Sequence, residues 1–335
     1  MSNLSKFFTL IRWKNLLLMA ATMVAIRYAV IFPLLKINGF QLPLPTVWFF
    51  LLVIGSVMIA AAGYLINDYF DTKIDLINRP DRTIVGTFFS RSFVITLHFL
   101  LSAAGFILCI PAAHFTGNYS FVLIQIMAIG LLWFYSTSFK CMSLTGNLVI
   151  SFLAALVPLS SGIYDLYYLF VNYRDILAQR MQILPQDVGE EWIYLYLQSM
   201  RNILSWILAY ALFSFLTTFV RELVKDIEDI EGDKRYFCQT FPVAHGIDKT
   251  KNVVYFAMIL LGLAFVYFQW IQWELKNYGF VIYGILAIEL PALFFIRIIQ
   301  KAKDRRQFHT ASTLMKWIML MGILYLPFFY KSVLG

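Results

Sequence analysis

The feature that most constrains this chain is the recurrence of apolar stretches about twenty residues long. A bilayer's hydrocarbon core, about 30 Å thick, is crossed by roughly 20 apolar residues in a helix. Such stretches lie near 15–36, 45–66, 92–113, 119–135, 145–170, 202–221, 252–273, 278–298 and 312–333. Inside hydrocarbon no water reaches the peptide groups, so each stretch has to satisfy its own N–H and C=O groups, which a helix does. The expected fold class is therefore all-α, a polytopic membrane protein of about nine transmembrane helices forming one domain over 1–335. Composition agrees: 60% of residues are hydrophobic and only 14% charged, against about a quarter charged in a soluble domain. The sequence opens Met1-Ser2-Asn3-Leu4-Ser5-Lys6 and runs into the first apolar stretch without a small-residue cleavage site, so that span is expected to be retained.

Nine spans put the N-terminus and the even-numbered connections on one side. Nineteen of the 27 Lys and Arg fall there, including Lys6, Arg12, Lys14, Lys140, Arg221, Lys225 and Arg305. Six lie on the other side, and Arg27 and Lys316 fall within spans. Positive charge marks the cytoplasmic face, so the N-terminus and the motifs described next are expected in the cytoplasm and the C-terminus opposite. The net charge of +8 then reflects orientation and contact with anionic lipid rather than nucleic acid, for which no motif is present.

A polar stretch at 171–200, with Asp175, Pro185, Asp187, Glu190 and Glu191, is expected as an insertion on the non-cytoplasmic side, carrying an interfacial helix that ends near Trp192 to Tyr196. Cys109, Cys141 and Cys238 are far apart and without matching histidines, so neither a zinc site nor a disulfide framework is expected. His98, His114, His245 and His309 show no ligand spacing and are expected to be structural or interfacial.

Two acid-rich motifs stand four spans apart, each at a cytoplasmic span end. The first is Asn67, Asp68, Asp71 and Asp75; the second is Asp226, Asp229 and Asp233. On a helix, Asn67, Asp71 and Asp75 share a face with Asp68 beside it, and the second set is spaced i, i+3, i+7. Carboxylates stacked in this way repel one another, and at a membrane boundary they are costly until a cation neutralises them. Hard oxygen donors suit Mg²⁺, which bridges a few carboxylates to substrate phosphates. Either motif alone is equally readable as solvated charge. A transporter also keeps acids among its helices, though near mid-depth, and stays as the alternative that is not an enzyme.

With their flanks, these residues resemble the UbiA superfamily of intramembrane prenyltransferases. Its NDxxDxxxD signature is matched by Asn67, Asp68, Asp71 and Asp75, and its second acid run by Asp226, Asp229 and Asp233. Asn78-Arg79-Pro80-Asp81-Arg82 is similar to its NRPxRP segment, with Thr83 in place of the second proline. Tyr135-Ser136, Lys140 and Gly146-Asn147 are similar to its YSxxLK…GN segment, and Arg12-Trp13-Lys14-Asn15 to its RPxN segment. The resemblance runs from residue 12 to the Ala311–Lys316 region at the start of the last span.

That resemblance implies a nine-helix bundle around a lipid-accessible cavity, with Mg²⁺ holding a prenyl diphosphate between the two motifs. It implies metal ligation by Asn67, Asp68, Asp71, Asp75, Asp226, Asp229 and Asp233, with Asp68, Asp71, Asp226 and Asp229 essential to catalysis. Lys140, Arg79, Arg82, Lys225 and Asn67 are the expected diphosphate contacts, and Asn15 and Arg27 stand on the acceptor side. Arg27, a charge in mid-span, has three available explanations: an anionic acceptor group, snorkelling, or a pairing acid elsewhere. The second motif is most similar to the branch that alkylates geranylgeranylglyceryl phosphate at a hydroxyl. The branches that alkylate aromatic rings share the acid pattern, so the acceptor stays open between a lipid phosphate and an aromatic compound.

Overall fold

The computed structural model describes residues 3–78, 84–172, 175 and 189–334. Among them nine helices are long and apolar enough to cross a membrane. These are α1 (Trp13–Lys36), α2 (Thr46–Thr72), α3 (Arg91–Thr116), α4 (Tyr119–Thr137), α5 (Thr145–Val171), α6 (Ile193–Glu228), α7 (Ile247–Glu274), α8 (Tyr278–Lys301) and α9 (Arg305–Tyr330). No strand forms among the described residues apart from a lone bridge between Val85 and Phe89. Proline sits inside α3, α5 and α9 as Pro111, Pro158 and Pro327, which membrane helices tolerate because neighbouring groups take up the freed carbonyls.

Outward-facing side chains are apolar. Leu17, Ile107, Leu263, Tyr267, Leu293 and Phe294 are 60–68% exposed, a surface that water penalises and lipid does not. The chain is a multi-pass integral membrane protein. Inside, where hydrocarbon gives no hydrophobic drive, helices associate through close packing. Gly55 of α2 and Gly105 of α3 face each other so closely that a Cβ on Gly105 would stand 2.6 Å from the Gly55 carbonyl oxygen. Around α6 the core is built from Leu216, Val220, Leu223, Val254, Phe295, Ala311 and Met315.

The sixth span begins earlier than hydropathy indicates. One helix runs from Gly189 to Glu228, 40 residues or about 60 Å. The expected insertion at 171–200 therefore ends in the first turns of a membrane helix rather than in a separate interfacial one. Glu190, Glu191 and Arg201 hide this continuation from a hydropathy window, although charged residues of this kind propagate a helix well. Tyr196 packs inward, its hydroxyl donating to the Leu169 carbonyl, and Asn38 Nδ2 donates to Ser199 Oγ at 2.7 Å.

Arg27 is wholly buried, and of the three explanations for it the structure selects the pairing acid. Its Nε donates to Asp165 Oδ2 of α5 at 2.9 Å and its Nη2 to Oδ1 at 3.3 Å and to the Leu44 carbonyl. The Leu44 N–H completes the ring by donating to Asp165 Oδ1 at 2.9 Å. Arg27 lies in a π turn, Ile26–Ile31, that interrupts the regular repeat of α1; such turns occur where a side-chain demand overrides regular bonding. It sits fifteen residues beyond Arg12, about 22 Å along the helix. Arg27 and Asp165 thus form a fully buried ion pair.

Successive helices reverse direction. The residues before α1 and the connections after α2, α4, α6 and α8 thus meet at one end of the bundle, where both acid motifs lie.

Candidate active site

α2 carries on past its apolar part to Asn78, which keeps Asn67, Asp68 and Asp71 helical. One turn apart, Asn67 Nδ2 donates to Asp71 Oδ2 at 2.7 Å. Asp71 is buried and also pairs with the Lys140 ammonium, which arrives from the connection between α4 and α5. Asp68, on the adjoining face, accepts from Arg12 Nη2 at 2.8 Å. Arg12 has a left-handed backbone, φ 52°, a conformation uncommon for residues other than glycine; it turns the chain between the leading helix Asn3–Leu10 and α1. Its guanidinium lies 4.9 Å from the centre of the Tyr64 ring, whose hydroxyl accepts from Asn15 Nδ2 at 3.2 Å. Arg79, Arg82 and the side chain of Asp75 lie outside the described residues.

The second motif departs from a single helical face. α6 stops at Glu228, the chain breaks at Asp229 (φ −99°, ψ 6°), and a short helix resumes over Ile230–Arg235. Glu228, Asp229, Glu231 and Asp233 crowd this stretch, and their repulsion together with Gly232 weakens a continuous helix. The expected stripe of Asp226, Asp229 and Asp233 is thus split, and each acid takes its own partner. Asp226 Oδ2 accepts from Asn147 Nδ2 of α5 at 2.7 Å, and Asp229 Oδ1 from Arg305 Nη2 at 3.5 Å. Asp233 Oδ2 accepts from Thr240 Oγ1 at 3.1 Å.

The break turns Asp233 toward α2, close enough for the charges of Lys140 and Asp71 to act on it. Burial pushes its carboxyl up to about 6, against the opposing pull of the Thr240 hydroxyl and Lys140. Lys225, expected at the diphosphate, donates to Glu222 Oε2 at 2.9 Å, while Arg221 Nη1 donates to Oε1 at 2.6 Å.

Lys140 is placed by a tight turn, Phe139–Cys141, folded back on the start of α5. A Cβ on Gly146 would stand 2.8 Å from the Phe139 carbonyl oxygen and 3.1 Å from the Lys140 Cα, so only glycine lets the turn lie this close. Contrary to the expectation for the cysteines, Cys141 and Cys238 form a disulfide, and beside it the Gln239 N–H donates to the Cys141 carbonyl at 2.9 Å. The 97 residues separating them are no measure of distance once α5 and α6 return the chain to the same end.

Sequence reasoning did not select Arg12, Tyr135, Asn147, Glu222, Thr240 or Arg305 as site residues. Arg12, Tyr135 and Asn147 lie in segments that carry the family resemblance. Arg305 carried no signal beyond its positive charge. Tyr135 lies within reach of the charges of Glu222, Asp226, Asp71 and Arg12, between the two motifs.

Among the described residues no three His, Cys, Asp or Glu side chains converge as a ready ion cage. Mg²⁺ uses one or two carboxylates plus waters and substrate phosphates, and the donor set suits that pattern. Asn67 Oδ1 is buried with no hydrogen-bond partner, an orphaned hard oxygen beside Asp71, and Asp233 faces it from the second motif.

Fold and site together define a multi-pass membrane enzyme with its polar machinery at one end of a helical bundle. The chain belongs to the UbiA prenyltransferase family, whose sequence profile matches residues 16–321. It is 29% identical over 246 residues to digeranylgeranylglyceryl phosphate synthase of Methanoregula boonei, covering 73% of this chain and 72% of the relative. To the synthase of the same name from Thermococcus kodakarensis it is 28% identical over 264 residues, 78% of each chain. Among solved structures, a digeranylgeranylglyceryl phosphate synthase shares the fold with a TM-score of 0.57 at 21% identity, over 99% of this chain and 100% of that one. A UbiA homologue from Archaeoglobus fulgidus bound to GPP and Mg²⁺ does so with a TM-score of 0.51 at 14% identity, over 96% and 99%.

Proposed function

We propose that this protein transfers a geranylgeranyl group from its diphosphate to the hydroxyl of geranylgeranylglyceryl phosphate, in a magnesium-dependent reaction. The observation that carries the reading is the meeting of the two acid motifs at one end of the bundle, with Lys140 between Asp71 and Asp233. The names borne by the relatives support the acceptor, and the Mg²⁺ and GPP of the Archaeoglobus homologue support the metal and the donor class.

Asn67, Asp68, Asp71, Asp226, Asp229 and Asp233 would hold the metal, with Asp75 as a further ligand. Bound there, magnesium would supply positive charge to the departing diphosphate. Lys140 is the chain's own cation at that point, and it stabilises the charge that develops as the allylic carbon–oxygen bond breaks. The electron pair of that bond leaves with the diphosphate, the acceptor oxygen forms the new carbon–oxygen bond, and the hydroxyl proton is released. Arg79 and Arg82 are further candidates for the diphosphate. Asn15, held by Tyr64, orients the wall of the site nearest α1.

The distribution of Lys and Arg supports a cytoplasmic site and N-terminus, with the C-terminus opposite. The whole chain is read as a single domain, with the polar stretch after α5 on the far side.

Purified protein given labelled geranylgeranyl diphosphate and Mg²⁺ is expected to alkylate geranylgeranylglyceryl phosphate, and to leave 4-hydroxybenzoate and 1,4-dihydroxy-2-naphthoate unchanged. Extraction and chromatography of the lipid product checks this. Product formed only with an aromatic acid would replace the proposed acceptor, and metal-linked substrate flux without release of diphosphate would replace the enzyme by a transporter.

A further inference from the structure

Below the acid motifs lies a second charged layer that the reaction as described does not use. α6 and α9 run antiparallel, with Glu228 Oε1 beside His309 Nδ1 at 3.1 Å and Asp229 beside Arg305 at 3.5 Å. Counting seven residues inward from Glu228 reaches Arg221, and seven inward from His309 reaches Lys316. The two cations are therefore level, about 10 Å into the bundle. Lys316 lies one turn beyond Ser312, which is buried, while Lys316 itself is exposed. The charges of Arg221, Lys225, Glu222 and Arg12 all act on it.

This layer carries more positive charge than its own acid neutralises. Glu222 is shared between Arg221 and Lys225, Arg12 is committed to Asp68, and among the described residues no carboxylate pairs with Lys316. Arg221 Nε is buried with no hydrogen-bond partner. Unneutralised cations at membrane depth are costly, and they persist where they serve a ligand. Three cations sharing one carboxylate, one of them a guanidinium with an unused N–H, match the oxygens of a phosphate.

We propose that Arg221, Lys225 and Lys316 form the seat of the acceptor's phosphate, a lipid phosphomonoester, which begins beside Asp226 and extends inward from the acid motifs that take the donor's diphosphate. The spacing fits. In a glyceryl phosphate the hydroxyl adjoins the carbon that bears the phosphate, which puts phosphorus roughly 5 Å from that oxygen on bond lengths of about 1.5 Å. Reacting atoms meet at about 3–3.5 Å, so the acceptor's phosphorus stands roughly 8 Å from the allylic carbon, about the helix rise of the five-residue step from Asp226 to Arg221. The proposal rests on the acceptor reading given above, and it assigns the choice of a phosphorylated over a neutral lipid to these three side chains.

Equilibrium binding to the full-length protein in nanodiscs, freed of metal with EDTA, tests the seat without turnover. The wild type is expected to bind geranylgeranylglyceryl phosphate at least tenfold more tightly than geranylgeranylglycerol. Lys316→Gln is expected to cut that preference below threefold, and Lys316→Arg to restore it. With Mg²⁺ present, Lys316→Gln should raise the acceptor KM at least tenfold while the donor KM stays within twofold. Equal binding of the two lipids by the wild type, or an undiminished preference in Lys316→Gln, overturns the seat. A donor KM that rises in step with the acceptor KM does so too, because the cluster then holds the diphosphate. Binding that discriminates without any prenyl transfer keeps the seat and sinks the reaction, whereas transfer without discrimination does the reverse.

Discussion

Asp71→Ala is expected to lower diphosphate release from geranylgeranyl diphosphate by about 10²–10³-fold, the usual effect of removing one member of a preorganised electrostatic site. Asp71 joins several parts of the site: it accepts from Asn67, pairs with Lys140, and its charge reaches Asp233. Its removal deprives the metal of a ligand and leaves Lys140 without the group that aims it. Folding should survive, because the Lys140 side chain is 27% exposed and can be solvated once released. Labelled diphosphate release at saturating Mg²⁺, with thermal unfolding run in parallel, checks the result. A variant that folds and keeps more than a tenth of the activity would move the donor away from this motif.

The second large effect is on stability. Arg27→Ala is expected to cost about 3–5 kcal/mol, the range for breaking a buried ion pair by removing one partner. Arg27 and Asp165 are both fully enclosed, so the orphaned carboxylate cannot reach water, and the Leu44 carbonyl loses its donor as well. Replacing both residues by leucine should recover much of the loss, because the penalty is the unpaired charge rather than the absence of the pair. Thermal denaturation in detergent, comparing both single variants with the double, reads this directly. The enzyme that remains folded should keep its kcat, because this pair lies about 22 Å of helix away from Arg12. A large loss of kcat at unchanged stability would return Arg27 to the reaction.

The fold was legible because its rule is simple: backbone polar groups in lipid must be satisfied within a helix, and hydropathy counts the helices that result. What hydropathy missed lay where helices leave the lipid. The start of the helix at Gly189 is polar, and the break at Asp229 follows from charge crowding rather than from a loss of apolar character. Half of the site was legible for a similar reason, since acids at helix ends are conspicuous. Their partners were not. Arg12, Asn147 and Arg305 come from three distant places, just before α1, the start of α5 and the start of α9, and only the reversal of successive helices brings them to Asp68, Asp226 and Asp229. Arg27 shows the converse case. A lone charge in a span reads as functional until its partner, 138 residues later, is seen opposite it.

The bond between Cys141 and Cys238 closes a ring through the chain that holds α5, the polar stretch after it and α6. A protease that cuts once within that ring opens the backbone without parting the two fragments. They travel together on a denaturing gel until a thiol is added. If the polar stretch after α5 faces away from the cytoplasm, an impermeant protease applied to sealed vesicles reaches it from that side alone. One cleavage therefore reports two facts, the sidedness of the chain and the oxidation state of the staple that links the Lys140 turn to the end of the second acid motif.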